Sequence, residues 1–576
     1  MLRLALVVAA ALAATVHAES PPDPLRLVPR QADLALRIEP VRLVNAIQSM
    51  PAFRELSQFP AVKEALDSTN SRRFLKIINY YEKELGLPWP ELLDRLAGGG
   101  IVVASKFQSG EPPPALVVIQ GRDTEMLRRA VALVRGVVEQ ELARNDAPIQ
   151  PQVEPYRGVD VTQLGDVRYA QVGAALLLAN KPVAIQRAID LHLDGPKESL
   201  AEHGGPAAAE QLLPPDALAR LWVNLVPAHE SPQGKETFKQ PKTDVIQLVL
   251  AGGLIDVIGK SPFLAAGLYR TDGGLAATMR LPAGRDATPE GFGLHLAPVG
   301  QPGSLPPLEP ANSLFSTSFY LDLGAIWTQR DTILSDGAHK QLDDAEKRFG
   351  RFLAGRKLSE LLTQSGPYHR FVVAAQTSPG YSRSPDVMIP AFAFASSMRA
   401  PEFGQAMGAI LRTVALVTGS GAKLKLVEET VDGVKLIGYR FPEQGGLTND
   451  PQNLRFAFSP CFAAVGDQFF AASTLELGRE MIGLLRASPT SAAPPTTRTI
   501  QTRLFAAGGA VLARLFEEQQ VTQAILDRGI APADAKREVE AGIAWLEKLG
   551  IVTIDADYRP SDYRLEARWE PRREKH

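Results

Sequence analysis

Residues 156–161 read Tyr156-Arg157-Gly158-Val159-Asp160-Val161, and residues 431–436 read Val431-Asp432-Gly433-Val434-Lys435-Leu436. Each stretch sets a glycine between short alternating runs. That is the pattern of a tight β-hairpin, because glycine accepts a positive φ at no steric cost. The two glycines stand 275 positions apart. Working outward from them, the same elements recur in the same order. Pro114-Ala115-Leu116-Val117-Val118 leads into a helix over 123–138, and Pro390-Ala391-Phe392-Ala393-Phe394 leads into one over 401–417. After the hairpins, the run 174–179 precedes a helix from Lys181, and 469–472 precedes one from Ser473. The opening strand Leu34–Glu39 answers the region of Tyr320, and Tyr269 near the end of the first copy answers Tyr558 in the second. A repeat of this length predicts an internal duplication.

The expected organisation is a first half over 25–298, a linker over 299–305 and a second half over 306–572. The stretch from Pro298 to Asn312 carries five prolines and two glycines, the composition of a junction. Polar, proline-containing stretches at 227–242 and 488–497 read as loops. Within each half the strands alternate in period two, as in Leu34, Leu36 and Ile38 against Ala35, Arg37 and Glu39. One apolar and one polar face mark an antiparallel sheet with a single covered side. The fold class is therefore α+β: two related halves, each a large antiparallel sheet covered on one side by helices. Ser473-x-x-Glu476 reads as a capping box, and Thr243 as the cap of a buried helix over 245–258.

The chain has 576 residues, 45% of them hydrophobic, with 62 Lys plus Arg against 64 Asp plus Glu. A net charge of −2 does not suit a nucleic-acid binder, which needs a surplus of cations to release counterions from phosphates. Cys461 is the single cysteine, so no disulfide framework can form within the chain. It lies among apolar residues and reads as a small buried hydrophobe.

Met1–Ala18 reads as a secretory signal peptide. Arg3 gives the positive start, Leu4–Val16 the apolar run, and Val16-His17-Ala18 the small-residue cleavage pattern. The apolar run is shorter than the ~20 residues a membrane span needs. The expected location is extracytoplasmic, periplasmic or secreted, with no transmembrane segment in the mature chain.

Catalytic signatures are missing from the sequence. Gly419-Ser420-Gly421 lacks nucleophile-elbow spacing, and Gly98-Gly99-Gly100 closes a helix and enters a strand, the reverse of a phosphate loop. Asp190, His192 and Asp194 would share a face if extended, and His339 and Asp343 stand one helical turn apart. The first set falls at a helix end, where a histidine complements the dipole, and the second suits a surface contact. No catalytic residue, metal site or cofactor site is assigned, and no cofactor is expected.

The order of elements resembles a family of secreted bacterial proteins recorded as a domain of unknown function. The likeness is carried by the strand after Pro29-Arg30-Gln31-Ala32-Asp33, the stretch Leu85-Gly86-Leu87-Pro88-Trp89-Pro90-Glu91-Leu92-Leu93-Asp94, the glycine turn into Ile101–Ala104 and the Gly158 hairpin. It covers both halves and implies an extracytoplasmic α+β protein, without implying catalysis.

The function that follows is non-enzymatic binding or scaffolding, using a concave sheet face or the junction between the halves. The partner would be an envelope protein, a polymer or an apolar ligand. The competing reading is an envelope hydrolase with a diffuse His/carboxylate site, for which His192, His339 and His369 are the positions to inspect. N-terminal sequencing of exported protein should begin near Glu19; an envelope form that still begins at Met1 would remove the cleavage.

Overall fold

A computed structural model of the chain describes residues 21–572, apart from 57–58, 60–68, 108–111, 145–150, 240–241, 243, 289–291, 351–352, 354, 377–379, 423, 446–449 and 451. The signal-peptide stretch and Thr243 lie outside the described residues. The chain clusters into two compact units. The first holds residues up to Asn45, Thr69–Ala208 and Leu218–Trp222. The second holds Ala46–Ser68, Ala209–Ala217 and everything from Val223 onward.

In the first unit eight strands form an antiparallel sheet: β1 (Leu34–Ile38), β2 (Gly100–Ser105), β3 (Ala115–Gln120), β4 (Gln152–Tyr156), β5 (Val159–Leu164), β6 (Val167–Val172), β7 (Ala175–Ala179) and β8 (Ala219–Asn224). Their lateral order is β4-β5-β6-β7-β3-β2-β1-β8. The second unit holds β9 (Phe263–Arg270), β10 (Leu275–Leu281), β11 (Ser313–Tyr320), β12 (Ser365–Ala374), β13 (Ala391–Met398), β14 (Lys425–Val431), β15 (Val434–Arg440), β16 (Cys461–Val465), β17 (Gln468–Ala472), β18 (Arg498–Phe505), β19 (Ile551–Tyr558) and β20 (Tyr563–Glu570). Eight of these run in the order β14-β15-β16-β17-β13-β12-β11-β18, and β19-β20-β10-β9 continue beyond β18. Strand for strand, the eight-strand order is the same in both units.

The hairpins hold the expected register. Tyr156 pairs with Val159 and Val431 with Val434, so each loop has two residues. Both central positions have positive φ: 51° and 84° at Arg157 and Gly158, 48° and 79° at Asp432 and Gly433. This is the mirror-image turn whose twist matches the flanking strands. Salt bridges or carbonyl contacts fix both tips. Arg157 reaches Asp190 and Asp194 at 2.7 Å on the helix Pro182–Asp194. At the second tip the helix supplies the arginine, and Arg486 donates to the carbonyl of Asp432 at 2.5 Å.

Two alignments shift by one residue. Leu116 and Ala393 are both buried, and each pairs with the last residue of its neighbouring strand, Ala179 and Ala472 respectively. Leu116 therefore matches Ala393, whereas the sequence spacing set it against exposed Phe392. In a strand a one-residue slip moves every side chain to the other face. Tyr558 closes its hairpin opposite Tyr563, while Tyr269 sits one pair further in, opposite Ala276. These two tyrosines do not correspond.

The α+β class and the antiparallel sheets stand as read, and the helical cover reaches both faces of the repeated part. The helix Pro182–Asp194 packs on β3, β6 and β7 through Ala184, Ile185, Ala188 and Ile189. The helix Thr124–Arg144 contacts β7 from the side where Leu176 and Leu178 point. In the second unit the helix Leu475–Ala487 buries Leu477, Met481, Ile482 and Leu485 on Val372, Ala393, Ala395 and Phe470. The opposite face carries the helix Pro401–Ala422 over Phe462 and Phe469.

Local details correct three sequence readings. Thr474, not Ser473, caps the helix Leu475–Ala487, its side chain accepting from the Leu477 amide; Ser473 Oγ accepts from the Phe392 amide instead. Asp244 caps the helix Val245–Lys260. The proline-rich junction is packed and not a loose tether: Leu305 and Leu308 are buried, Gly303 donates to Thr496, and Ser304 Oγ to the Arg498 carbonyl. Because β10 of the first half pairs with β20 over seven residues, the end of that half belongs to the second compact unit.

The turn glycines give a test. Nothing lies within 4 Å of a Cβ built at Gly158 or Gly433, so substitution there meets backbone strain alone. Gly433→Ala should destabilise by about 1 kcal/mol in denaturant unfolding, and Gly158→Ala by a similar amount. A change within experimental error at both would contradict the positive φ.

Candidate functional site

Beneath the helix Thr124–Arg144 in the first unit lies a cavity of about 430 Å³. The strand register builds its floor. Ile119 pairs with Leu176, and Leu178 with Tyr169, so these four side chains stand on one face. Leu164 and Val167, paired at the β5–β6 turn, extend it. The roof is a helical stripe of Leu127, Ala130, Val131, Val134 and Val138, the spacing that puts side chains on one side of a helix. The helix is held from its start, where the Asp123 side chain accepts from the Met126 amide. The backbone hydrogen bond from Met126 holds the Asp123 carboxyl below its usual pKa, and Arg95, bridging it at 3.3 Å, lowers that pKa further. Among the described lining residues, charge is confined to Arg135 and Glu139.

The matching place in the second unit is full. The β pairings set Phe469 against Leu176 and Phe462 against Tyr169, since Phe469 pairs with Ser396 and Phe462 with Ala471. Aligning the first residues of the two helices sets Met407 against Ala130 and Leu411 against Val134. Phe403, Phe462 and Phe469 form one buried cluster with Met407 and Leu411 packed on it. The rings of Phe403 and Phe469 meet edge-on at 6.4 Å, and those of Phe462 and Phe469 lie 6.1 Å apart. One backbone thus carries a hollow in one copy and an aromatic plug in the other. The sequence held this contrast, as Leu176 and Ala130 against Phe469 and Met407, with Gly404 and Gly408 standing where the first copy has Leu127 and Val131. It needed the strand register to be seen.

The candidate histidines are placed separately. His192 lies on the helix Pro182–Asp194 with its Nδ1 buried and without a hydrogen-bond partner among the described residues. Burial, then the charge of Arg26, pushes its pKa down. Asp190 and Asp194 beside it are committed to Arg157, whose hydrogen bond holds the Asp194 carboxyl below its usual value. His339 shares its Nε2 with the Arg330 carbonyl at 2.8 Å, and its Nδ1 lies 3.9 Å from the exposed Asp331. Asp343, one turn on, lies 4.0 Å from Arg330. His369 is buried, stacked on Phe394 at 5.6 Å, with Nε2 at 2.9 Å from the Leu321 carbonyl. Desolvation lowers its pKa. Among the described residues no group of three His, Cys, Asp or Glu side chains could hold a metal ion. None of their helices is long and apolar enough to cross a membrane.

No family model matches the chain, and no curated protein matches it. A solved structure titled "Structure of crystal form I of TP0453" is similar at 10% identity over 46% of this chain and 81% of its own, with a TM-score of 0.24. Likeness at that level transfers neither fold nor function.

Cys461 is buried in the second unit, donating to the Thr474 carbonyl at 3.2 Å, and desolvation pushes its thiol up to about 12. It should resist a thiol-specific reagent at pH 8 in native protein and react fully after unfolding, as followed by mass spectrometry. Rapid native labelling would show the site open.

Proposed function

We propose that this chain is an extracytoplasmic, non-enzymatic binding protein whose first half holds a small apolar ligand. The location rests on the sequence of the first eighteen residues. The binding role rests on one observation: the cavity between the helix Thr124–Arg144 and the sheet is hollow where the repeated half is plugged by Phe462, Phe469 and Met407. A folded core normally closes such space, because voids forfeit packing contacts. Its volume falls within the range of small-molecule pockets, and its described lining is mainly apolar, with Val134 and Val167 at a mouth open to solvent. Burying a methylene contributes about 0.8 kcal/mol, so a medium-length hydrocarbon chain would reach roughly micromolar affinity after the cost of immobilisation.

The absence of a converging His/carboxylate set around this cavity favours binding over hydrolysis. Among the described lining residues the one carboxylate is Glu139, which is exposed and paired with Arg135.

The second half shows how to close the site. The double variant Ala130→Met with Leu176→Phe brings two of its bulky side chains into the groove. The wild-type chain should bind Nile red, a neutral apolar dye, saturably with a blue shift in emission. The double variant should lose that binding at an unchanged or raised Tm. Equal dye binding by both proteins would refute the assignment.

A further inference from the structure

Resting on that reading, we infer that the ligand is an anionic single-chain amphiphile, with its hydrocarbon in the cavity and its carboxylate on Arg135. Three observations lead there. The first is size. At about 30 Å³ for each water-sized group, the volume of about 430 Å³ takes on the order of fourteen heavy atoms. That is one unbranched chain of medium length, and it is too little for a two-chain lipid.

The second is the distribution of polarity. Arg135 and Glu139 both line the cavity, one helical turn apart, and both are exposed. Every other described lining side chain is apolar except the ring-bearing Tyr169. A ligand that buries its tail against Leu176 and Val134 must therefore leave its head at this edge. An uncharged hydrocarbon would leave that edge unused, and a polar tail would strand its own groups among the leucines.

The third is how weakly the guanidinium is engaged. Its Nε lies 3.5 Å from Glu139 Oε1, with half of each side chain in water. Exposed i,i+4 pairs contribute little, and the order with the acid on the C-terminal side is the poorer one. Arg135 can turn from Glu139 to a ligand at small cost. Its planar fork then meets a carboxylate with two parallel hydrogen bonds, a geometry that an alcohol cannot match. Glu139 disfavours the same anion by like charge, so it tunes the affinity downward and does not compete for the tail.

The experiment is displacement of Nile red by three twelve-carbon ligands: dodecanoate, dodecanol and dodecyltrimethylammonium. Dodecanoate should displace the dye roughly fivefold more tightly than dodecanol, and the cationic ligand should be weakest. Arg135→Gln should abolish the dodecanoate advantage and leave dodecanol unchanged. Glu139→Gln should strengthen dodecanoate alone. Both are surface changes on a helix whose apolar stripe is untouched, so the fold is retained. Equal displacement by dodecanoate and dodecanol, or an Arg135→Gln variant with the preference intact, overturns the head-group assignment and leaves the apolar site standing. Failure of the dye and of all three ligands to bind overturns both.

Discussion

The pairing of β3 with β7 sets everything around it. These strands are more than fifty residues apart in sequence, and their register puts Val118 opposite Leu177 and Ile119 opposite Leu176. The first pair is buried beneath the helix Pro182–Asp194, while the second faces the helix Thr124–Arg144. Because side chains alternate across a strand, one choice of register fixes both layers at once. The counterpart pairing of β13 with β17 makes the same choice, with Ala395 opposite Phe470 and Ser396 opposite Phe469. A shift by one would carry the buried Leu177 and Phe470 into the other layer and push the polar Gln120 and Ser397 out of theirs.

Given that frame, the two copies differ in filling and not in path. The face toward the second helix of each copy is densely packed in the second unit, with Met481, Ile482 and Leu485 buried against Phe470 and Cys461. Gly478 is held there by contact: a Cβ would come within 2.3 Å of Cys461 Sγ. On the opposite face the copies diverge, with phenylalanines in one and a hollow in the other. On the matched helix positions the exchange runs the other way, with Gly404 and Gly408 in the second copy where the first has Leu127 and Val131, so there the bulk comes from the sheet and the helix gives way to it. The conserved device is the pinned hairpin tip. Its polarity is exchanged between Arg157 with two aspartates and Arg486 with a carbonyl, which preserves the hold without preserving the residues.

The repeat was legible because its signals are local. Gly158 and Gly433 announce hairpins by themselves, and strand alternation shows within six residues. The exact register was not legible: Leu116 with Ala393, and the tyrosines at 269 and 558, each depended on pairings between distant strands. Capping was readable to within a residue, since Ser473 and Thr474 both offer a hydroxyl and only the fold chooses between them. The cavity was the least visible feature. Apart from Arg135 and Glu139, the described residues that line it are mostly the ordinary apolar stripes of amphipathic helices and strands, and the groove is a property of how those stripes meet. The histidines were visible as residue types, but their chemistry lay in the backbone carbonyls of Arg330 and Leu321, which no motif encodes.

The buried polar groups of the second unit reinforce this division between frame and filling. Arg370 stands where the first copy has Val102, and Gln468 stands where it has Ala175, by the same strand pairings. Both are almost fully buried and they hydrogen-bond to each other. Arg370 also reaches Ser488, at its hydroxyl and carbonyl, and the Pro306 carbonyl. Desolvation lowers its pKa to about 10, which still leaves it charged at neutral pH. A lone buried guanidinium would be costly, and so would a lone buried amide. Introduced together they satisfy one another and tie the end of the helix Leu475–Ala487 to the junction between the copies. The second copy has thus taken on polar fastening at one face and aromatic bulk at the other. Both features fix the second copy's core through contacts that the first copy lacks.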